Sequence, residues 1–366
     1  MKVTIVGGGN IGTQFAVHFA EKGHTVYIRT SKPSHFSSVL SIVNHSDKLI
    51  HQGKIKKATL SNKEAFENAD LIFVTGPSFL MRKVADQMLP FLKKGVMVGI
   101  IPGNGGGEFA FGKVLKKGAI LFGLQRVPSV ARLVEYGKKV CATGYRDKLY
   151  AAAIPKEHTQ EICNVISTGF NMPCLSLPDY LNLTLTPSNP ILHTTRLYTL
   201  FENYIPNETV YKKVPLFYEE WNNETTKLLF KCDEEVQELC RSIKEYDLSE
   251  VESLKIHYEN NTIDGFTKKI QSIEGFKGLP TPVVKVMGGY IPDLKSRYFT
   301  ADFNYGLKII LEIAQIFKVN MPYCQTIYDW YEKIKDTSFS EFNISDYGIK
   351  NKNDLINFYD FNGVND

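Results

Sequence analysis

The chain has 366 residues, 43 % of them hydrophobic, with 43 basic and 39 acidic side chains that leave a net charge of +4. That length exceeds one ordinary core and predicts two domains. The small net charge gives no general reason to bind nucleic acid or a membrane surface, and the absence of about 18 consecutive apolar residues excludes a helical membrane span.

The six cysteines (141, 163, 174, 232, 240 and 324) form no CxxC pair, so neither a disulfide framework nor a metal site is expected. The opening "MKVTIVGGGNIG" lacks the apolar core and cleavage site of a secretory signal, which predicts a cytoplasmic protein with reduced thiols.

Residues 1–181 alternate short β-branched runs with helical patterns. This predicts an α/β fold whose N-terminal domain is a Rossmann-type, doubly wound parallel sheet with helices on both faces. The expected strands are "KVTIV", "TVYI", "KATL", "DLIFVT", "GVMVGII", "AILFG" and "KLYAAAIP". Helices are expected at about Asn10–Lys22, across "SFLMRKVADQMLPFLKK" and from His158 to about Phe170. "RVPSVARLVEYGKKVCATG" reads as a hairpin added to the same sheet. Residues 182–366 show helical periodicity without strand alternation, as in Asn222–Asp247, and predict an all-helical second domain. A Gly/Pro-rich break from Gly275 to Phe303 interrupts it, followed by the apolar helix "NYGLKIILEIAQIFKV". The tail from Asp336 is expected to carry one short helix near Asp354 to Tyr359.

"IVGGGNIG" places Gly7, Gly9 and Gly12 in G-x-G-x-x-G spacing directly after a strand and at the start of a helix, the context of a dinucleotide fingerprint. Gly7 permits the turn, Gly9 the approach of a pyrophosphate and Gly12 close helix packing. The free N–H groups of the first turn, at Asn10 and Ile11, then face the phosphates. The second strand ends in "VYIRTSKPS", without the acid that holds an NAD ribose. Arg29, Thr30, Ser31 and Lys32 suit a 2′-phosphate instead, so NADP(H) is expected over NAD(H), with a solvated loop as the bland alternative. Gly76 in "VTGPSF" and Pro102, Gly103 and Asn104 in "IIPGNGGG" fall at strand ends and read as cofactor contacts or structural turns.

In "LTPSNPILHTTRLY", helical spacing puts Asn189 and His193 on one face. Two-domain dehydrogenases such as ketopantoate reductase and the 6-phosphogluconate and glycerol-3-phosphate dehydrogenases keep a proton-handling lysine four residues before the matching asparagine. Here that position is Leu185, which cannot carry a proton.

The segments "NPILH" and "SRYFTADFNYGL", with the glycine fingerprint and "VPSVARLVEYG", resemble the opine dehydrogenases, the family of octopine, nopaline and N-carboxyethyl amino acid dehydrogenases. The resemblance runs from residue 1 to about 320. It implies that His193 is the acid/base, that Asp302 orients it and that Arg297 binds a substrate carboxylate, with Arg132 or Arg126 available for a second one. Ala301 and Asn304 depart from the acidic residue and the proline found in many members. The bland alternatives are a packed histidine, a first-turn acid capped by Thr300 and a surface arginine.

The implied reaction condenses an amino acid amine with a 2-oxo acid and reduces the imine by hydride, in a cleft between the domains. Imidazole, which titrates near neutrality, suits the proton steps. The expected partners are therefore an amino acid and a 2-oxo acid, with neither nucleic acid nor membrane; the aromatic-rich second domain is compatible with a homodimer. A 2-oxo acid reductase that needs no amine and a non-catalytic NADP(H) sensor are the competing readings.

Overall fold

The computed structural model describes residues 1–335 and 342–361; Asp336, where the tail begins, lies outside the described residues. The chain divides into two compact units, Met1–Leu183 with Leu355–Asp366, and Thr184–Asp354.

Among the described residues the first unit has twelve strands: β1 (Lys2–Val6), β2 (Thr25–Arg29), β3 (Val39–Val43), β4 (Leu49–Lys54), β5 (Lys57–Thr59), β6 (Leu71–Val74), β7 (Met97–Ile100), β8 (Ile120–Leu124), β9 (Val130–Glu135), β10 (Lys139–Thr143), β11 (Leu149–Ile154) and β12 (Cys174–Ser176). The main sheet has the order β12-β11-β8-β7-β6-β1-β2-β5. It is parallel apart from the antiparallel pairing of β11 with β8, and β6 to β8 are continuous apolar runs, as expected of strands covered on both faces. The order reverses at β1, which pairs with β2 on one side and β6 on the other. The ends of these strands form the crevice where such sheets bind ligands.

The expected hairpin is present as β9 and β10, but it does not extend the main sheet. It joins β3 and β4, which the sequence did not announce, in a separate sheet of order β4-β3-β10-β9. The physical reason lies in helix α1 (Asn10–Glu21). Gln14 and His18 interrupt its apolar pattern, yet both are buried, so the helix needs cover on both faces. Phe15 and Phe19 pack with Phe73 and Phe170 in an edge-on cluster, whereas Gln14 Nε2 donates to Ser129 Oγ at 2.7 Å. Against β4 the approach is close enough to demand a glycine: a Cβ on Gly53 would lie 2.6 Å from the Val17 carbonyl oxygen.

Helix α2 (Thr159–Phe170) leads into β12 and completes this unit with the end of the C-terminal helix Lys352–Tyr359. Tyr359 Oη donates to buried Glu108 Oε1 at 2.8 Å.

The second unit is helical. Its main elements are α3 (Asn189–Phe201), α4 (Asn223–Ser242), α5 (Lys308–Ile316) and α6 (Pro322–Ile334). The Gly/Pro-rich break carries one hairpin, Val283–Val286 with Gly289–Pro292. It then runs through the turn Arg297–Thr300 into a π-helical segment, Asp302–Leu307, which leads into α5. Among the described residues no helix is long and apolar enough to cross a membrane.

Candidate active site

Between β1 and α1 the glycine turn has the shape a pyrophosphate needs. Gly7 has a φ of +106°, a conformation that side chains disfavour. A Cβ on Gly12 would lie 1.9 Å from the Gly7 carbonyl oxygen, so only glycine lets the helix start here. Above Gly9 nothing lies within 4 Å of a built Cβ, which leaves room for phosphate oxygens. No acid occupies the first turn of α1, so its N–H groups at Asn10, Ile11 and Gly12 present an uncompensated positive end. The Asn10 side chain is already committed, because Oδ1 accepts the Leu133 N–H at 2.8 Å; it offers the site its backbone.

At the end of β2, Arg29 and Thr30 are tied down. Arg29 Nε donates to Asn62 Oδ1 at 2.7 Å, and burial lowers the guanidinium pKa from its ordinary value. The Thr30 hydroxyl lies 3.2 Å from Tyr136 Oη, and Lys32 Nζ sits 5.9 Å from the Tyr136 ring centre. Ser31 and Lys32 are exposed. Phe36 then packs onto Gly8, where a Cβ would meet its ring at 2.4 Å, and anchors this loop beside the glycine turn.

Of the other strand-end residues, Gly76 faces open space. Gly103 has a packing reason for being glycine: a Cβ there would lie 3.0 Å from Gly123 Cα, in a crossing where its N–H donates to the Leu124 carbonyl. Pro102 follows a cis peptide bond and, like Asn104, is part-exposed. Arg132 projects from β9 with Nη1 on its neighbour's carbonyl, Ala131 O; Arg126 is partly buried.

In the second unit, Leu185 is completely buried. One turn into α3, His193 is 8 % exposed. Its Nδ1 lies 2.7 Å from Asp302 Oδ2, a residue 109 positions away. Two local features produce this meeting. Gly306 lets the π-helical segment touch α3, since a Cβ there would lie 2.6 Å from Pro190 Cγ. Asp302 is the first residue of that segment, and such segments re-aim side chains at sites of function. Thr300 is not a cap for it; its hydroxyl donates to the Ser296 carbonyl at 3.0 Å. Arg297 is exposed and has no ion-pair partner among the described residues. Asn189, at the head of α3, is also exposed. Asn304 is buried within the π segment.

Two residues of this constellation are not apparent from the sequence. Tyr218 Oη lies 2.7 Å from His193 Nε2. Because the Asp302 carboxylate accepts, Nδ1 carries the hydrogen in neutral His193 and Nε2 receives the Tyr218 hydroxyl. The Tyr218 ring is stacked on Phe276, with centroids 4.1 Å apart. The segment bearing Tyr218 is held by Arg196, three residues beyond His193 on α3. Arg196 is 1 % exposed. Its Nε donates to the Phe217 carbonyl at 2.9 Å, and its Nη2 donates to those of Glu220 at 2.8 Å and Leu216 at 3.2 Å. Trp221 covers the guanidinium at 5.4 Å. Burial brings the Arg196 pKa down to about 10, so it remains a cation at neutral pH. The signal available in sequence was a charge inside the apolar run "ILHTTRLYTLF", which a helix tolerates only with buried partners.

Known proteins resemble both parts of the chain. Residues 176–335 match the family model of the NAD/NADP octopine/nopaline dehydrogenase alpha-helical domain, and residues 2–104 match that of the NAD-dependent glycerol-3-phosphate dehydrogenase N-terminus. Octopine dehydrogenase of Mizuhopecten yessoensis is 25 % identical over 91 % of this chain and 90 % of its own. Tauropine dehydrogenase of Arabella iricolor is 24 % identical over 91 % of each. A solved structure of octopine dehydrogenase with NADH and L-arginine shares the fold, with a TM-score of 0.83 at 19 % identity over 100 % of this chain and 99 % of that one. Across most of its length the chain is thus similar to the opine dehydrogenases, and these matches support an NAD(P)-dependent oxidoreductase acting on CH–NH bonds.

Proposed function

We propose that the protein is an NADP(H)-preferring opine dehydrogenase that condenses an amino acid amine with a 2-oxo acid and reduces the resulting imine, with His193 as the acid/base. The observation that carries this reading is the hydrogen bond between His193 Nδ1 and Asp302 Oδ2 at 2.7 Å, made by two residues that lie far apart in sequence.

The glycine turn and the N–H groups of Asn10, Ile11 and Gly12 hold the pyrophosphate; Gly76, Pro102, Gly103 and Asn104 line the neighbouring strand ends. When bound, the nicotinamide supplies the hydride. Exposed Ser31 and Lys32, with the remaining nitrogens of Arg29, receive the 2′-phosphate, and the absence of an acid at the end of β2 supports NADP(H) over NAD(H). Asp302 fixes the tautomer and ring plane of His193. The proton delivered to the departing carbonyl oxygen, or taken from the amine, enters or leaves at the His193–Tyr218 pair. Arg297, with no protein carboxylate to neutralise it among the described residues, pairs with a substrate carboxylate.

Purified protein with pyruvate and either NADPH or NADH, with and without a pool of amino acids, tests the reading. Turnover is expected only when amine is present, and with a higher kcat/KM for NADPH. Amine-independent turnover removes the opine reaction, and equal or better use of NADH removes the cofactor preference. His193→Ala is expected to bind NADPH as tightly as the parent while losing turnover.

A further inference from the structure

We propose that His18, Glu21 and His51 form a binding site for a divalent transition-metal ion, with zinc the ion best suited to the donor set. One donor atom from each of these side chains lies within 4.8 Å of the other two. The site belongs to the first unit and is independent of the dehydrogenase chemistry.

Rigid elements bring the donors together. His18 and Glu21 are three residues apart near the end of α1 and share a face. His51 is on β4, two residues before Gly53 and therefore on the same strand face. The Gly53 contact with α1, where a Cβ would also lie 2.7 Å from Ala20 Cβ, draws His51 onto the helix. The His18 and His51 ring centroids are consequently 4.6 Å apart, and His51 Nδ1 lies 2.8 Å from Glu21 Oε2.

The array offers two imidazoles and a carboxylate, an N2O set that matches three-ligand zinc sites with one open position. His18 is the buried member of the set, at 2 % exposed, and enters a metal site as neutral imidazole. The ring is also held by outer partners, as metal-binding histidines are. His18 Nε2 lies 3.1 Å from Tyr145 Oη, and Phe170 packs edge-on at 5.2 Å. A tetrahedral ion with bonds of about 2.1 Å holds its ligands about 3.4 Å apart, so the set must contract. The side chains of His51 and Glu21 are 30 % and 35 % exposed and free to close, and their exposure gives an ion access from water.

The full chain, stripped by chelator and titrated with Co2+, provides the test. The expected result is one equivalent bound, with visible ligand-field absorption and no near-ultraviolet thiolate band. Zn2+ should displace the Co2+ and raise the Tm by several degrees. His51→Ala, and separately Glu21→Gln, should weaken Co2+ binding by about tenfold or more and remove the zinc-induced Tm rise, while folding normally without metal. No binding at one equivalent, a thiolate band that assigns the ion to cysteines, or undiminished affinity in His51→Ala would each overturn the proposal. None of these readouts depends on turnover, so failure of the opine reaction would leave the site standing, and the reverse.

Discussion

Replacing Asp302 by asparagine keeps the shape of the side chain and one acceptor oxygen but removes the charge facing His193. The bond concerned is 2.7 Å long, and the two side chains are only 10 % and 16 % exposed, so water cannot substitute freely for the carboxylate. A hydrogen bond to an ionised group contributes about 1.5–3 kcal/mol. If that stabilisation is realised when His193 is an imidazolium, its loss slows turnover by about 10- to 100-fold. The assay is oxidation of NADPH at saturating pyruvate and amino acid, with cofactor affinity measured separately by calorimetry. We expect kcat to fall by that factor, the NADPH Kd to remain within about twofold and the Tm to change little, because the group removed is itself partly desolvated. Asp302→Ala should be at least as slow. An Asp302→Asn protein that turns over within about threefold of the parent would refute the argument that this contact orients an acid/base.

Arg196→Met should destabilise the protein by about 3 kcal/mol or more by leaving the buried Phe217 carbonyl, and those of Leu216 and Glu220, without their donor; urea titration followed by tryptophan fluorescence measures it. Asp233→Asn should flatten the dependence of stability on pH. Burial pushes the Asp233 carboxyl up from 3.8 to about 7. Between those values the folded protein binds the additional proton, so stability falls as pH rises from about 4 to about 7, by about 4 kcal/mol, and is level above. The asparagine variant should be the more stable protein at pH 8 and should keep an acceptor for the Leu254 N–H, which donates to Asp233 Oδ2 at 2.9 Å. Gly12→Ala should abolish cofactor binding in calorimetry, because its methyl group would lie 1.9 Å from the Gly7 carbonyl oxygen and force α1 off the turn.

What was legible in the sequence was local or carried by a set. The glycine turn announces itself because strand, turn and helix are contiguous and each glycine has its own steric reason. The seven strands expected in the main sheet all fall there, and β6 to β8 were the plainest because buried parallel strands are apolar throughout. β4 escaped notice because it is mostly exposed and reads "LIHQGK", with little alternation, and β3, though largely buried, was missed with it. Their presence moves the β9–β10 hairpin into a second sheet. His193 and Asp302 were paired through family resemblance; spacing alone could not have joined them. Tyr218 was invisible for a different reason. It follows no helical or strand period, and its position depends on bonds to main-chain oxygens, which leave no trace in residue type. Cofactor contacts could be expected at Gly103, but its tight crossing with Gly123 required coordinates.

The way Arg196 holds the segment from Leu216 to Glu220 separates two kinds of freedom in this enzyme. The guanidinium reads only carbonyl groups there, and every amino acid carries one. The side chain of Leu216 takes no part in this anchor, whereas that of Glu220 does, its Oε2 accepting the Leu216 N–H at 2.6 Å; the arginine has no substitute, since lysine lacks the planar fork that spans separate acceptors. Variation at Leu216 is thus cheap and variation at the clamp is not. A chain arranged in this way can change a side chain of the clamped segment while its main chain keeps Tyr218 within reach of His193 Nε2.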